Sequence, residues 1–304
     1  MFIEEYLQEL RQERFAPRAV ARYVRRSLAR ARESIVANPG AARSIWSLGL
    51  VFFALCFIAA AVLAVREDRR LALDLFLLTT LTTAPVFGLV SLHVDLLRDR
   101  DGYPLSAVNL PTALTLLRIA LAPAFVLFLL EGHPAWALAV YVVAELSDVA
   151  DGWLARRWKQ ITRLGTMLDP IVDIAFNVMV FLGLHRAGLI PGWVLSAAML
   201  RYGILLFGGA GLYLFVGPVT IHPTLFGRLS GVVMVGLVSF LVLLHAVAPP
   251  WAPPLAPLTP TAVGVLFVAA VVQVVALGWY NLRVMKGEAA ARGRVVGDVR
   301  WGPR

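Results

Sequence analysis

Apolar residues fall in eight long blocks along the chain, separated by short polar or basic pieces. The blocks cover about 46–65, 71–93, 113–131, 135–155, 167–185, 192–215, 228–248 and 260–282. Each approaches the ~20 residues that an α-helix needs to cross a bilayer. The block at 135–155 qualifies only because its polar residues cluster at one end. The pattern predicts an all-α integral membrane protein with eight spans.

Residues 1–44 read differently. Phe2, Tyr6, Leu10 and then Val20, Tyr23, Val24, Leu28 recur at helical spacing among nine arginines and five glutamates. This predicts one or two basic amphipathic helices, broken near Pro17 and ended near the Asn-Pro-Gly at 38–40. Such a segment can lie on the membrane surface; the alternative is a solvated helical arm. A boundary near residue 105 divides the rest. The expected units are a basic amphipathic segment at 1–44, a two-span extension at 45–104, a six-span body at 105–285 and a polar tail at 286–304. A proline-rich connector joins the last two spans.

Composition agrees with the pattern. The chain is 59% hydrophobic and 15% charged, with a mean hydropathy of +0.76, which places it in the membrane class. Its net charge of +9 comes from arginine, Lys159 and Lys286 being the only lysines. That charge suits anionic lipid headgroups. No groove-reading motif accompanies it, so no nucleic-acid partner is expected. Lysine and arginine concentrate in 1–45, 94–112, 156–166 and the tail, whereas the opposite pieces hold "REDRR" at 66–70 and Arg186. The positive-inside rule then places both termini and the aspartate stretch in the cytoplasm, and a bacterial inner membrane is the expected location. Cys56 is the only cysteine, so no internal disulfide can form.

Four carboxylates interrupt this apolar chain, in "DVADGWLARRWKQITRLGTMLDPIVD" at 148–173. On a helix each residue turns ~100°. With Asp148 at zero, Asp151 falls at about −60°, Gly152 at about +40° and Ala155 at about −20°. One face therefore offers two carboxylates beside two very small residues. Asp169 and Asp173 are separated by about 40° on a second helix. Pro170 suits either a helix start capped by Asp169 or a kink in a longer helix. Residues 157–165 are enough for the chain to reverse and bring the two pairs together.

A carboxylate inside a membrane helix costs ~2.5–3.5 kcal/mol on insertion scales, and four would repel one another. Divalent cations relieve both problems, and oxygen-only ligands favour Mg²⁺, Mn²⁺ or Ca²⁺. There are carboxylates enough for two ions, an arrangement suited to clamping a phosphoryl group. Arg156 could hold a phosphate. A solvated acidic loop paired with Arg156, Arg157, Lys159 and Arg163 is the bland alternative.

The spacing Asp-x2-Asp-Gly-x2-Ala-Arg-x8-Gly-x3-Asp-x3-Asp resembles the signature of the CDP-alcohol phosphotransferases, and Asp148, Asp151, Gly152, Ala155, Arg156, Gly165, Asp169 and Asp173 match it. "NLPTALTLLRIALAP" at 109–123 resembles the family's leading segment, Asn-x-Pro-Asn-x-Leu-Thr-x-x-Arg, with Thr112 for the second asparagine. The resemblance implies a six-helix body with a cytoplasm-facing polar cavity, a CDP-linked donor and two Mg²⁺ or Mn²⁺ ions. It makes Asp148, Asp151, Asp169 and Asp173 metal ligands, and Asp173 the general base. It makes Asp148, Gly152, Ala155, Arg156, Gly165 and Thr115 the CDP-binding set.

"ITRLGTMLDPIVD" resembles the phosphatidylglycerophosphate synthase branch, although Ile174 stands where that branch has lysine. Arg228, in "PTLFGRLSG", and Arg201, followed by Tyr202 instead of an acid, are the candidates for binding an acceptor phosphate. The expected partners are therefore CDP-diacylglycerol, a small hydroxyl acceptor such as glycerol 3-phosphate, and the bilayer. A homodimer is one expected assembly, common among relatives and not required by anything in this chain. The rival readings are a transferase with a CDP-choline-like donor and a diacylglycerol acceptor, a cation transporter, and a non-catalytic scaffold.

Overall fold

The computed structural model describes residues 13, 15–211, 225–247 and 258–297. Nine long helices make up the described chain: α1 (Pro17–Ala37), α2 (Pro39–Arg66), α3 (Arg69–Leu92), α4 (Leu110–Leu130), α5 (Pro134–Arg157), α6 (Arg163–Arg186), α7 (Gly192–Gly203), α8 (Leu225–Val247) and α9 (Leu258–Gly297). A π-turn at Ile204–Gly208 carries α7 on to residue 211. Each of the eight apolar blocks falls on a helix in its described part, with His93 and Glu131 just past the ends of theirs. Phe2, Tyr6, Leu10, residues 248–257 of the proline-rich connector and residues 298–304 lie outside the described residues.

Local chemistry sets the helix starts. Asn38 ends α1 and caps α2, its side chain accepting from Ala41 N at 3.2 Å, with Pro39 in the first turn. Asn109 and Pro111 open α4 in the same way. Thr162 caps α6 by accepting from Gly165 N at 2.9 Å. Hence Asp169 is not a cap: α6 already has a start, and Pro170 lies within it. The last helix runs to Gly297, past the predicted end at 282, because the alanine-rich "GEAAARGR" that follows the apolar block is a good helix former.

Among the described residues, six helices are long and apolar enough to cross a membrane by length and composition: α2, α3, α4, α6, α7 with its continuation, and α9. The described side chains of α8 cover too little of it to qualify, and α5 carries Glu145, Asp148 and Asp151. Burial separates the spans. The most apolar window of α4 is 56% buried, that of α2 only 11%. Leu50, Phe53, Phe57 and Val65 of α2 point outwards, as a lipid-facing helix requires.

Helices α4–α9 form a closed ring in the order α4, α5, α8, α9, α7, α6 and back to α4. Its interior holds a run of aromatic side chains that includes Phe125, Tyr141, Phe176, Phe181 and Phe267. The pair α2 and α3 packs outside the ring, mainly through α3 on α4. A second core joins Ala41, Ile45, Phe87 and Val94 to Leu116, Leu164 and Val172, so the extension and the body share packing. Asn38 Nδ2 donates to Leu105 O at 2.8 Å, and Val108 N to Ser44 Oγ at 2.9 Å, which ties the two further. Between α2, α3 and α4 lies an apolar cavity of about 450 Å³, lined by Phe52, Cys56, Leu75, Leu121 and Phe128 among others.

Close approach of α7 and α9 depends on Gly264. A Cβ built there would run into the Trp193 ring and stand 2.8 Å from Val194 Cγ2. Gly264→Ala is expected to destabilise by about 1–3 kcal/mol through overpacking, read as a lower Tm in detergent. An unchanged Tm would mean that the two helices do not meet at this glycine.

Candidate active site

One face of α4 organises the acidic cluster. Thr115 and Arg118 are three residues apart, so both look the same way. The Thr115 hydroxyl lies 2.8 Å from Asp151 Oδ2 and 3.1 Å from Asp169 Oδ1, its one proton shared between them and Pro111 O at 3.1 Å. Arg118 Nη1 bonds Asp148 Oδ1 at 2.6 Å and also bonds Asp173. Arg118 Nη2 donates to Asp151 Oδ2 at 3.1 Å. The two acidic pairs, one on α5 and one on α6, thus converge on α4.

Access differs among the four. Asp151 is buried, whereas the side chains of Asp148 and Asp173 are 44% and 48% exposed. Asp148 and Asp173 are therefore open to a polar solute and Asp151 is not. Four carboxylates face one buried guanidinium, so the cluster keeps an excess of negative charge.

A cleft of about 40 Å³ opens beside the cluster. Pro111, Thr115, Gly152, Ala155, Gly165 and Asp169 are among its walls. Gly152 and Ala155 therefore share the face that their spacing predicts. Arg156 folds back over Gly152: a Cβ at Gly152 would stand 3.2 Å from Arg156 Nη1. Loop and leading segment are joined here. Asn109 Nδ2 donates to Gln160 O at 2.6 Å, and the hydroxyls of Thr112 and Thr162 are 3.3 Å apart. Thr112 thus holds the loop that precedes α6.

Arg118 is the central residue that the sequence analysis does not single out. Its signal is the final arginine of the leading segment, which spacing alone does not connect to the aspartates. Glu145 is a second omission. It lies one turn before Asp148 on α5 and is half-buried.

The acceptor candidates are less gathered. Arg201 stacks over the rings of Tyr202 and Phe267, with its Cζ 5.7 Å and 5.4 Å from their centroids. Its Nε is buried without a hydrogen-bond partner. Arg228 lies on α8, and its side chain is outside the described residues. Ile174 packs against the main core, so that position serves the bundle and offers no charge.

Metal binding can be tested against these residues. Among the described residues, no three His, Cys, Asp or Glu side chains are arranged to hold one ion, and the Arg118 guanidinium stands among three of the aspartates. The donors themselves fit: they are all carboxylate oxygens, they outnumber their counter-charge, and they suit a hard divalent cation.

Comparison with known proteins decides the family. A model of the CDP-alcohol phosphatidyltransferases matches residues 108–284. The chain belongs to that family. It is 35% identical over 105 residues to a "Cardiolipin synthase (CMP-forming)" of Streptomyces coelicolor, covering 33% of this chain and 49% of that protein. It is 52% identical over 68 residues to a "CDP-diacylglycerol--glycerol-3-phosphate 3-phosphatidyltransferase" of Pectobacterium atrosepticum, covering 21% and 37%. A protein of the same name in Escherichia coli is 47% identical over 68 residues, again covering 21% and 37%. The chain spans half or less of the length of these relatives. The matched family region begins one residue before Asn109, and so includes the Thr115 and Arg118 face with the whole acidic stretch.

Proposed function

We propose that this protein transfers a phosphatidyl group from CDP-diacylglycerol to a hydroxyl of a small polyol phosphate, with glycerol 3-phosphate first, and releases CMP. The observation that carries the reading is the meeting of four aspartates on the Thr115–Arg118 face of α4, beside a cleft walled by Gly152 and Ala155. The acceptor oxygen forms a bond to the diacylglycerol-bearing phosphorus. The bond from that phosphorus to the CMP oxygen breaks, and CMP leaves with the electron pair.

Asp173 takes the acceptor's proton, for which its exposed carboxylate is suited. Thr115 holds Asp151 and Asp169 together. The small residues Gly152 and Ala155 leave room for the cytidine nucleotide, and Arg156, folded over Gly152, faces its phosphate. Asp148, Asp151, Asp169 and Asp173 would hold Mg²⁺ or Mn²⁺, whose charge would neutralise the pyrophosphate and favour CMP as leaving group.

Arginine concentration on one side supports a cytoplasmic site and cytoplasmic termini, in a bacterial inner membrane. The ring of six helices supports a catalytic body at 105–285, with α2 and α3 as an extension. A homodimer is part of this reading by family resemblance alone.

The direct test is CMP release by purified protein given CDP-diacylglycerol and Mg²⁺ or Mn²⁺. Glycerol 3-phosphate, inositol phosphate, serine, inositol and phosphatidylglycerol serve as acceptors. Release that needs both metal and one polyol phosphate is the expected result; release with none of them overturns the reading. Within the same assay, Arg201→Gln is expected to raise KM for the phosphate acceptor about tenfold or more, because a hydrogen bond to a charged group is worth ~1.5–3 kcal/mol. Its kcat should change less. Equal KM in both proteins would return Arg201 to a packing role against Tyr202 and Phe267.

A further inference from the structure

Arg118 is bonded to three of the carboxylates that the proposed metal site needs. Its side chain is 3% exposed, and its two terminal nitrogens reach Asp148, Asp151 and Asp173 on two different helices. Its Nε is buried and has no hydrogen-bond partner. A guanidinium does not lose its proton in proteins, so this charge is permanent. Without it, four carboxylates on α5 and α6 would face one another with only the neutral Thr115 hydroxyl between Asp151 and Asp169, and like charges so placed push the helices apart. This one buried cation therefore offsets part of the cluster's negative charge.

The same geometry makes Arg118 a competitor. A guanidinium and a divalent cation cannot occupy the same carboxylate lone pairs, and they repel at short range. We propose that Arg118 is a resident counter-cation which holds the four-aspartate site together before metal arrives and must be displaced from it when metal binds. This inference rests on the reading of the aspartates as a metal site. It makes Arg118 a positioning residue that sets metal affinity, with two opposite effects. The guanidinium stabilises the empty site and weakens metal binding to it.

A structural arginine and a competing one differ in a measurable way. The experiment compares full-length wild type, Arg118→Gln and Arg118→Lys in detergent. It measures Tm in EDTA and in saturating Mn²⁺, and Mn²⁺ affinity from the free-ion electron paramagnetic resonance signal. For Arg118→Gln we expect a lower Tm in EDTA, a larger rise in Tm on adding Mn²⁺, and Mn²⁺ binding about tenfold tighter than wild type.

An arginine that only supports the fold would lower Tm equally with and without Mn²⁺ and leave the affinity unchanged. That result, or weaker Mn²⁺ binding in folded Arg118→Gln, overturns the proposal. Should Arg118→Gln fail to fold, Arg118→Lys carries the test. Its compact ammonium cannot make the two-nitrogen contact and should be displaced more easily. Tighter Mn²⁺ binding in Arg118→Lys supports the proposal, and equal or weaker binding overturns it. The metal reading fails separately: wild type that binds no Mn²⁺ sinks that reading, and this inference with it, from the wild-type trace alone.

Discussion

Asp173→Asn is expected to release CMP at no more than about 1% of the wild-type rate, since positioned general bases contribute ~10²–10⁴-fold. The substitution keeps the shape of the side chain and removes the group that accepts the proton. Asparagine can still accept from Arg118 through its amide oxygen, so the contact between α4 and α6 survives in weakened form. The measurement is CMP release at saturating donor and acceptor, with Mn²⁺ affinity determined on the same sample. Three carboxylates remain, so Mn²⁺ should still bind while turnover is lost. Turnover near wild type would remove Asp173 from the base role. Loss of Mn²⁺ binding in step with turnover would make Asp173 chiefly a metal ligand.

How far this site was legible in the sequence follows from the range over which spacing acts. The positions of Asp148, Asp151, Gly152 and Ala155 on one face follow from ~100° per residue. They hold within α5 whatever surrounds it. The short connection between α5 and α6 brings the two acidic pairs to the same end of the ring, where both face α4. Arg118 is different, because it lies on α4, separated from the aspartates by most of α5. Within α4 it is a lone arginine in an apolar helix, and no periodicity states which carboxylates it will meet. Only the ring order, with α4 touching both α5 and α6, makes it central.

The same limit explains Pro170 and the helix ends. The sequence allowed Asp169 to start a helix or Pro170 to lie inside one. Thr162, seven residues earlier, decides it by capping α6 and packing its hydroxyl against Thr112. That contact joins the first turn of α4 to the start of α6, fifty residues apart in sequence. Hydropathy measures the bilayer-crossing part of a helix and is blind to polar turns that continue it, which is why α9 outlasts its apolar block. Ile174 shows the converse. As a lost lysine it argues against the branch assignment, yet its packing in the bundle core gives the substitution a structural reason of its own.

The two glycines of the acidic stretch are expected to fail in different ways, and Gly152→Leu gives the larger effect on catalysis. The atoms nearest a Cβ at Gly152 are those of the Arg156 guanidinium, at 3.2 and 3.5 Å. That is the end of a flexible side chain and can move. Leucine is also the better helix former by up to ~1 kcal/mol, so α5 should keep its stability. The added side chain enters the cleft between Thr115 and Ala155 and pushes Arg156 off the position from which it would face the donor phosphate. Misplacing a substrate by ~1 Å can cost ~10²-fold, and kcat/KM for CDP-diacylglycerol should fall by about that factor. Tm and Mn²⁺ affinity should stay near wild type. At Gly165 a Cβ would stand 3.0 Å from Thr162 Oγ1 and 3.3 Å from Thr112 Oγ1, within the cap of α6. Gly165→Leu should therefore lower Tm first and activity only as a consequence. If Gly152→Leu retains wild-type kcat/KM, the cleft is not where the nucleotide sits. If it loses Tm as Gly165→Leu does, the room beside Gly152 serves packing, and donor binding must be sought elsewhere on the acidic face.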